Sequence, residues 1–313
     1  MTYLSIVIPV YNSYNSLWEL YTGITTYLDK LNLTFELILV EDCSEDDSWK
    51  LIQRLVATDP RICGIRMSRN YGQHNALLAG IRAANGKFII TMDDDLQHPP
   101  DEISKLLSKV YEGFDVVYGS PDTEQHGFFR DMASQITKIA LQKSMGAETA
   151  RYVSAFRVFR ADLRDAFKAY SSPTVNIDVL LTWGTTKFVA IKVKHVARKY
   201  GQSNYTTRKL IRHAINMMTG FSTAPLKFAG IIGFLFAIFG VLVLAYVLVQ
   251  YLLYGAVVPG FAFLSSIIAI FSGAQLLALG IIGEYLARMH QRSMERPAYL
   301  VREYLGKDCL IRT

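Results

Sequence analysis

Cysteine is scarce in this sequence of 313 residues: Cys43, Cys63 and Cys309 are far apart and odd in number. They form neither metal-ligand spacing nor a disulfide framework, so a reducing compartment is expected. No basic segment followed by a short apolar stretch opens the chain. Leu4–Val10 reads instead as a strand-like run ending in a Pro-Val-Tyr-Asn turn, which argues against a secretory leader. No acidic residue occurs between Asp178 and Glu284, and no charged one from Phe228 to Gly283. The first turn lacks Gly-x-Gly-x-x-Gly, and no Gly-Lys-Ser/Thr loop occurs, which excludes the common dinucleotide and P-loop arrangements.

What is present is a mixture. Hydrophobic residues make up 51% of the chain and charged ones 19%, with a mean hydropathy of +0.20. This is too apolar for an ordinary soluble enzyme and too charged for membrane helices alone. The net charge of +6 is concentrated: Lys187, Lys192, Lys194, Arg198, Lys199, Arg208, Lys209, Arg212 and Lys227 all precede the uncharged run. A solvated basic face or nucleic-acid binding would also suit such a cluster. Its place beside a membrane segment favours lipid headgroups and substrate phosphates.

Gly255, Pro259 and Gly260 interrupt the uncharged run, which predicts two membrane helices over about 228–253 and 261–286. Each exceeds the ~20 residues needed to cross a ~30 Å hydrocarbon layer. Lys209, Arg212 and Lys227 precede the hairpin, Arg288, Arg292 and Arg296 follow it, and the connecting turn has no Lys or Arg. Both termini are therefore expected in the cytoplasm. Gly230, Gly233 and Gly240 in one arm and Gly273, Gly280 and Gly283 in the other could permit close packing within the hairpin or in a homo-oligomer, or reflect ordinary glycine usage. Apolar residues at helical spacing among basic ones predict an interfacial helix at about 128–144 and an amphipathic juxtamembrane segment at 206–227. Packed core helices are the alternative.

In residues 1–205, apolar runs at Leu4–Val10, Phe35–Val40, Ile62–Met67, Phe88–Met92 and Val116–Tyr118 alternate with helical patterns at about 16–31, 47–57, 73–84 and 101–111. That alternation predicts a parallel α/β sheet, with ligands beyond the carboxyl ends of its strands. Polar clusters fall at those ends, the densest being Asp93-Asp94-Asp95-Leu96-Gln97. Neighbouring carboxylates repel unless a cation relieves them. Residues two apart share one side of an extended chain, so Asp93, Asp95 and the Gln97 amide oxygen can converge while Asp94 points elsewhere. Such oxygen ligands suit Mg²⁺ or Mn²⁺, with coordination positions left for a diphosphate.

Ser-Ile-Val-Ile-Pro-Val-Tyr-Asn from Ser5, Val-Glu-Asp-Cys-Ser-Glu-Asp from Val40, Ser-Arg-Asn-Tyr-Gly-Gln-His-Asn-Ala from Ser68 and Met-Asp-Asp-Asp-Leu-Gln-His-Pro-Pro from Met92 occur in that order. Arg-Lys-Tyr-Gly-Gln-Ser-Asn-Tyr from Arg198 and Phe-Ser-Thr-Ala-Pro-Leu-Lys from Phe221 follow. The whole series resembles family 2 inverting glycosyltransferases, in the polyprenyl-phosphate branch that holds dolichol-phosphate mannose synthase and bactoprenol glucosyltransferases. The resemblance implies a GT-A (Rossmann-like) nucleotide-sugar domain joined to the C-terminal hairpin. It implies that Pro9, Tyr11 and Asp42 hold the nucleoside, with Asp94 counted beside them. Asp93, Asp95 and Gln97 would hold the metal and diphosphate, and Arg198 and Ser203 would close over the donor. Arg130 and Arg157 are its candidates for the acceptor phosphate, and Asp93, Asp95 and Arg198 its catalytic residues. Glu41, Asp94, Pro121 and Asn204 depart from the family's usual Asp, Ala, Arg and Lys, while His74 is read as structural.

The implied reaction moves a sugar from a nucleotide sugar to a polyprenyl (undecaprenyl) phosphate, with inversion, at the cytoplasmic face of a bacterial inner membrane. UDP-glucose ranks first as donor, ahead of modified UDP-sugars such as aminoarabinose derivatives and of GDP-mannose. A processive polysaccharide synthase would need a longer membrane channel and usually Gln-x-x-Arg-Trp, both missing from the sequence. A nonenzymatic nucleotide-binding scaffold is the other rival, and loss of the carboxylates would have favoured it. The segment 288–313 is expected to be a cytoplasmic basic tail.

Overall fold

The computed structural model describes residues 2–121, 152–197, 199–200, 224–254 and 260–306. Arg130, Arg198, Ser203, the expected helix at 128–144 and most of the segment at 206–227 lie outside the described residues. The chain divides into two compact units, Met1–Leu210 with Glu295–Thr313, and Ile211–Met294.

The first unit is built on strands β1 (Leu4–Val10), β2 (Phe35–Glu41), β3 (Ile62–Met67), β4 (Phe88–Thr91), β5 (Val116–Pro121), β6 (Arg157–Arg160), β7 (Phe188–Val193) and β8 (Val301–Leu305). Its helices are α1 (Tyr14–Lys30), α2 (Ser48–Thr58), α3 (Gln73–Ala83), α4 (Ile103–Tyr111) and the short α5 (Ile177–Leu181). The eight strands form one sheet in the order β7-β5-β6-β4-β1-β2-β3-β8. Strands β1 to β4 pair in parallel, whereas β6 and β8 pair antiparallel with their neighbours. The sheet is therefore mixed, not wholly parallel as the alternation of apolar runs and helical patterns predicted.

Both faces of the central strands are covered, which is why β1 and β2 read as near-continuous apolar runs, broken where the buried Ser5 hydroxyl donates to Glu36 Oε1. Leu4, Ile6, Ile8 and Val10 pack in one core with Leu17, Leu20 and Ile24 of α1, Ile52 and Leu55 of α2, and Leu106 and Val110 of α4. On the opposite face α3 lies close against Val7 and Val40, because Gly80 has no side chain there. A Cβ at Gly80 would overlap Val7 and come 2.9 Å from Val40 Cγ2. Gly80→Ala should therefore destabilise the protein by about 1–3 kcal/mol through overpacking, outweighing the ~1 kcal/mol of helix propensity it adds. Thermal unfolding in detergent checks this, and a raised Tm would refute it.

Three strands depart from the expected pattern. β6 and β7 were not anticipated, and β8 falls in the segment expected to be a basic tail. β8 returns from beyond the apolar helices to pair with β3, Gly64 opposite Leu305 and Met67 opposite Val301. The Ser68 amide donates to Leu300 O at 2.9 Å, and the Arg82 guanidinium lies over the Tyr299 ring. Cys43 is free and exposed, but Cys63 on β3 is disulfide-bonded. Spacing did not suggest a disulfide, since distant segments meet only when the sheet assembles.

The second unit contains α6 (Ala224–Tyr254) and α7 (Phe261–Ser293), the latter running past the expected boundary near 286. Pro225–Leu253 and Ile270–Ser293 are long and apolar enough to cross a membrane, and their most apolar stretches are not buried within the protein. Apolar surface of this extent marks a membrane-contacting hairpin. The arms meet through Phe236 and Phe239 against Phe271, at ring separations of 5.4 and 6.3 Å, with Gly240 beneath Phe271. The positions of Gly230, Gly233, Gly273, Gly280 and Gly283 have nothing within 4 Å of a built Cβ. Among the described residues, aromatic rings rather than paired glycines therefore join the arms.

Candidate active site

Because β1 to β4 run parallel, their carboxyl ends lie along one edge of the sheet, and the turns beyond them gather there. Sharp reversals at these ends need left-handed backbone: Asn12, Cys43 and Leu96 have φ of 54°, 58° and 62°. The β1–α1 and β2–α2 turns are stitched together. The amides of Asn12, Ser13 and Tyr14 donate to Ser44 Oγ, Ser48 Oγ and Asp46 Oδ2 at 3.0–3.1 Å. In return the Glu45 amide donates to Asn12 Oδ1 at 2.8 Å.

Asp42 lies buried at the end of β2. Its two oxygens accept from the amides of Tyr71 and Gly72, each at 2.7 Å. Burial pushes its pKa up, and these two amides act against that shift. Asp42 thus organises the β3–α3 turn, and each oxygen keeps a second lone pair for a ligand. Pro9 is buried within β1, while Tyr11 at its end is 39% exposed. Glu41, fully buried, accepts from the Ser44 amide and pairs with Arg66 Nε at 3.3 Å. His74 Nδ1 accepts from the Ile177 amide at 3.3 Å, in keeping with a structural role.

In the aspartate turn, Asp93 Oδ1 accepts from Gln73 Nε2 at 2.6 Å. Asp95 Oδ1 accepts from the Gln97 amide at 3.2 Å. Asp94 turns the other way: its Oδ2 accepts from the Tyr11 amide at 3.1 Å and from the Ser13 hydroxyl. Burial pushes the Asp94 carboxyl up to about 6, against the pull of these hydrogen bonds. Next to the turn, His98 is buried, stacked on Phe156 at 5.0 Å and edge-on to His195 at 5.2 Å. Burial, and then His195, push its pKa down to about 4, so the ring is neutral at pH 7. The Gln97 carbonyl accepts from the Val196 amide at 2.9 Å, and Lys199 pairs with Glu19 at 2.8 Å. The residues flanking Arg198 are thereby tied to the aspartate turn and to α1.

Arg157 does not belong in an acceptor site. It is 1% exposed, donates from Nε to Thr91 Oγ1 at 2.9 Å and is paired through Nη1 with Asp178. Tyr118 also donates to Asp178, at 3.0 Å. A guanidinium already neutralised and sealed from solvent cannot receive a lipid phosphate. The sequence reading missed Gln73, His98 and His195. Gln73 and His98 stood in quoted motifs, but their contacts are long-range.

Among the described residues, no group of three or more His, Cys, Asp or Glu is arranged to hold a metal ion. With Asp94 directed into the protein, Asp93 and Asp95 remain as carboxylate donors. Two carboxylates completed by substrate phosphates are a usual set for Mg²⁺, so the turn fits a divalent cation that arrives with a diphosphate.

A family model described as Glycosyl transferase family 2 matches residues 5–167. The chain belongs to that family. Within it, the undecaprenyl-phosphate 4-deoxy-4-formamido-L-arabinose transferase of Proteus mirabilis (strain HI4320) is 34% identical over 306 residues, covering 97% of this chain and 94% of its own. The protein of the same name from Shewanella sediminis (strain HAW-EB3) is 36% identical, covering 97% and 92%. Glucosyl-3-phosphoglycerate synthase from Mycobacterium tuberculosis, solved with Mn²⁺, UDP and glucosyl-3-phosphoglycerate, shares the fold. Its TM-score is 0.51 at 17% identity, over 70% of this chain and 78% of that one. This glycosyltransferase is thus placed in the polyprenyl-phosphate branch by relatives that match it along almost its whole length, apolar helices included.

Proposed function

We propose that the chain transfers a sugar from a nucleoside diphosphate sugar to undecaprenyl phosphate, with inversion, at the cytoplasmic face of a bacterial inner membrane. The observation that carries this reading is the 97% coverage by relatives named for undecaprenyl phosphate, because it takes in both the aspartate turn and the two apolar helices. Those names also move the preferred donor. UDP-glucose gives way to a UDP-linked 4-amino- or 4-formamido-arabinose, which sequence reasoning ranked second.

In the reaction, a phosphate oxygen of the lipid attacks the anomeric carbon. The new C–O bond forms opposite the departing nucleoside diphosphate, which keeps the electron pair of the broken bond. A phosphate monoester with a second pKa of about 6 is largely ionised at pH 7, so no strong general base is needed. Asp93, Asp95 and the Gln97 side chain would hold Mg²⁺ or Mn²⁺, which when bound offsets negative charge on the diphosphate. Gln73 orients Asp93, and Asp42 and Tyr11 line the nucleoside end. Arg198 and Ser203 would close over the diphosphate. With Arg157 set aside, Arg130 remains the candidate for the lipid phosphate. The apolar helices would anchor the chain in the membrane that carries the acceptor, so that transfer gains from proximity.

Purified protein in detergent, given undecaprenyl phosphate, a divalent cation and a panel of labelled sugar nucleotides, should form one lipid-linked monosaccharide, fastest with the aminoarabinose-type donor. No lipid-linked product from any donor would refute the reading. A long polymer would favour the processive synthase.

A further inference from the structure

The middle carboxylate of the aspartate turn contacts protein donors from the other side of the site. Asp94 follows β4, yet its Oδ2 accepts from the backbone of Tyr11 and the hydroxyl of Ser13, both in the β1–α1 turn. Its own amide adds a further hydrogen bond. Ser13 stands at the N-cap of α1, where a serine hydroxyl ordinarily caps the first turn, but here it makes no side-chain cap bond. The residue between Tyr11 and Ser13, Asn12, has φ of 54°, in the left-handed region that asparagine adopts more readily than most residues, so the Asp94 contacts meet a sharp reversal of the chain. On the other flank, Gln73 fixes Asp93. The two turns whose backbones would meet the two ends of a nucleoside diphosphate are thus joined directly by one side chain.

We propose that Asp94 is a positioning residue that ties the aspartate turn to the β1–α1 turn, so that the nucleoside end and the diphosphate end of the donor site are set as one unit. It rests on the reading that the donor is a nucleoside diphosphate sugar. Asp94 itself contacts neither the donor nor a cation. Its effect passes through Tyr11 and through the placement of Asp93 and Asp95.

The test is calorimetric titration of UDP, with Mn²⁺ present, into the full-length protein in detergent. Asp94→Ala should weaken UDP binding about tenfold, the size expected when hydrogen bonds to a charged acceptor are lost. Asp94→Asn keeps an acceptor oxygen at the same reach and should stay within about threefold of the parent. Ser13→Ala removes only the hydroxyl and should weaken binding about threefold, which carries the test should Asp94→Ala not fold. The Ser13 hydroxyl also reaches the Tyr11 carbonyl at 3.1 Å, but the Asp94–Ser13 contact is common to both changes, so Asp94→Ala with Ser13→Ala should bind less than about threefold more weakly than Asp94→Ala alone. Unchanged UDP affinity in both single alanine variants would overturn the inference. It would also fall if Asp94→Asn binds as weakly as Asp94→Ala and loses Mn²⁺ affinity, because Asp94 would then touch the ion or the diphosphate. Failure of the parent protein to bind UDP or any other nucleoside diphosphate would instead sink the donor reading, and the inference with it.

Discussion

Asp95→Ala should lower sugar transfer by about 10³-fold or more while leaving the melting temperature unchanged or slightly raised. The side chain lies at the edge of the sheet outside the hydrophobic core, and its Oδ1 accepts from the Gln97 amide within its own turn. Removing it costs little packing and relieves repulsion from Asp93 and Asp94. Chemistry should suffer instead, because interactions that offset charge on a departing group are worth several kcal/mol in a preorganised site. Asp95→Asn should be nearly as inactive, since it keeps the shape and loses the charge. Initial rates at saturating donor and cation, with Mn²⁺ affinity measured separately, check the prediction. Activity within tenfold of the parent would remove Asp95 from the site.

The second large effect concerns stability. Arg157→Met should destabilise the protein by about 3–5 kcal/mol, because breaking a buried ion pair on one side leaves an uncompensated charge. At roughly 2–4 °C per kcal/mol for a unit of this size, the Tm should fall by about 10 °C. Asp178 would keep the Tyr118 hydroxyl, whose pKa burial pushes well above its ordinary value, so it remains a donor. One neutral donor does not replace a guanidinium. Adding Asp178→Asn, which preserves an acceptor for Tyr118, should recover most of the loss. The KM for undecaprenyl phosphate, measured below the lowered Tm, should be unchanged. A KM raised tenfold with stability intact would instead return Arg157 to the acceptor site.

Arg157 also shows where sequence reading runs out. The chain has 33 Lys and Arg, and nothing local separates one that meets a phosphate from one that meets a buried Asp178. That distinction depends on β6 slotting between β4 and β5. β6 itself, Arg-Val-Phe-Arg, is four residues long with a charge at each end. It is a strand because its neighbours offer open backbone partners, not because of its own pattern. β8 is similar, being five residues of mixed polarity whose partner lies more than two hundred positions earlier in the chain.

By itself the sequence determined the elements whose signals are local. Near-continuous apolar runs marked β1 to β4 almost to the residue, because a parallel strand buried on both faces is mostly apolar. An uncharged stretch long enough for two crossings marked the hairpin, because charge is costly in hydrocarbon. Three adjacent carboxylates at a strand end marked the candidate site, because they repel unless something relieves them. Tertiary structure alone decided what the divided carboxylates meet. Alternation along the chain turns Asp94 away from Asp93 and Asp95, but only the packing of β1 beside β4 brings Tyr11 and Ser13 to meet it. Contacts between residues eighty positions apart form through the sheet, and no short-range pattern encodes them.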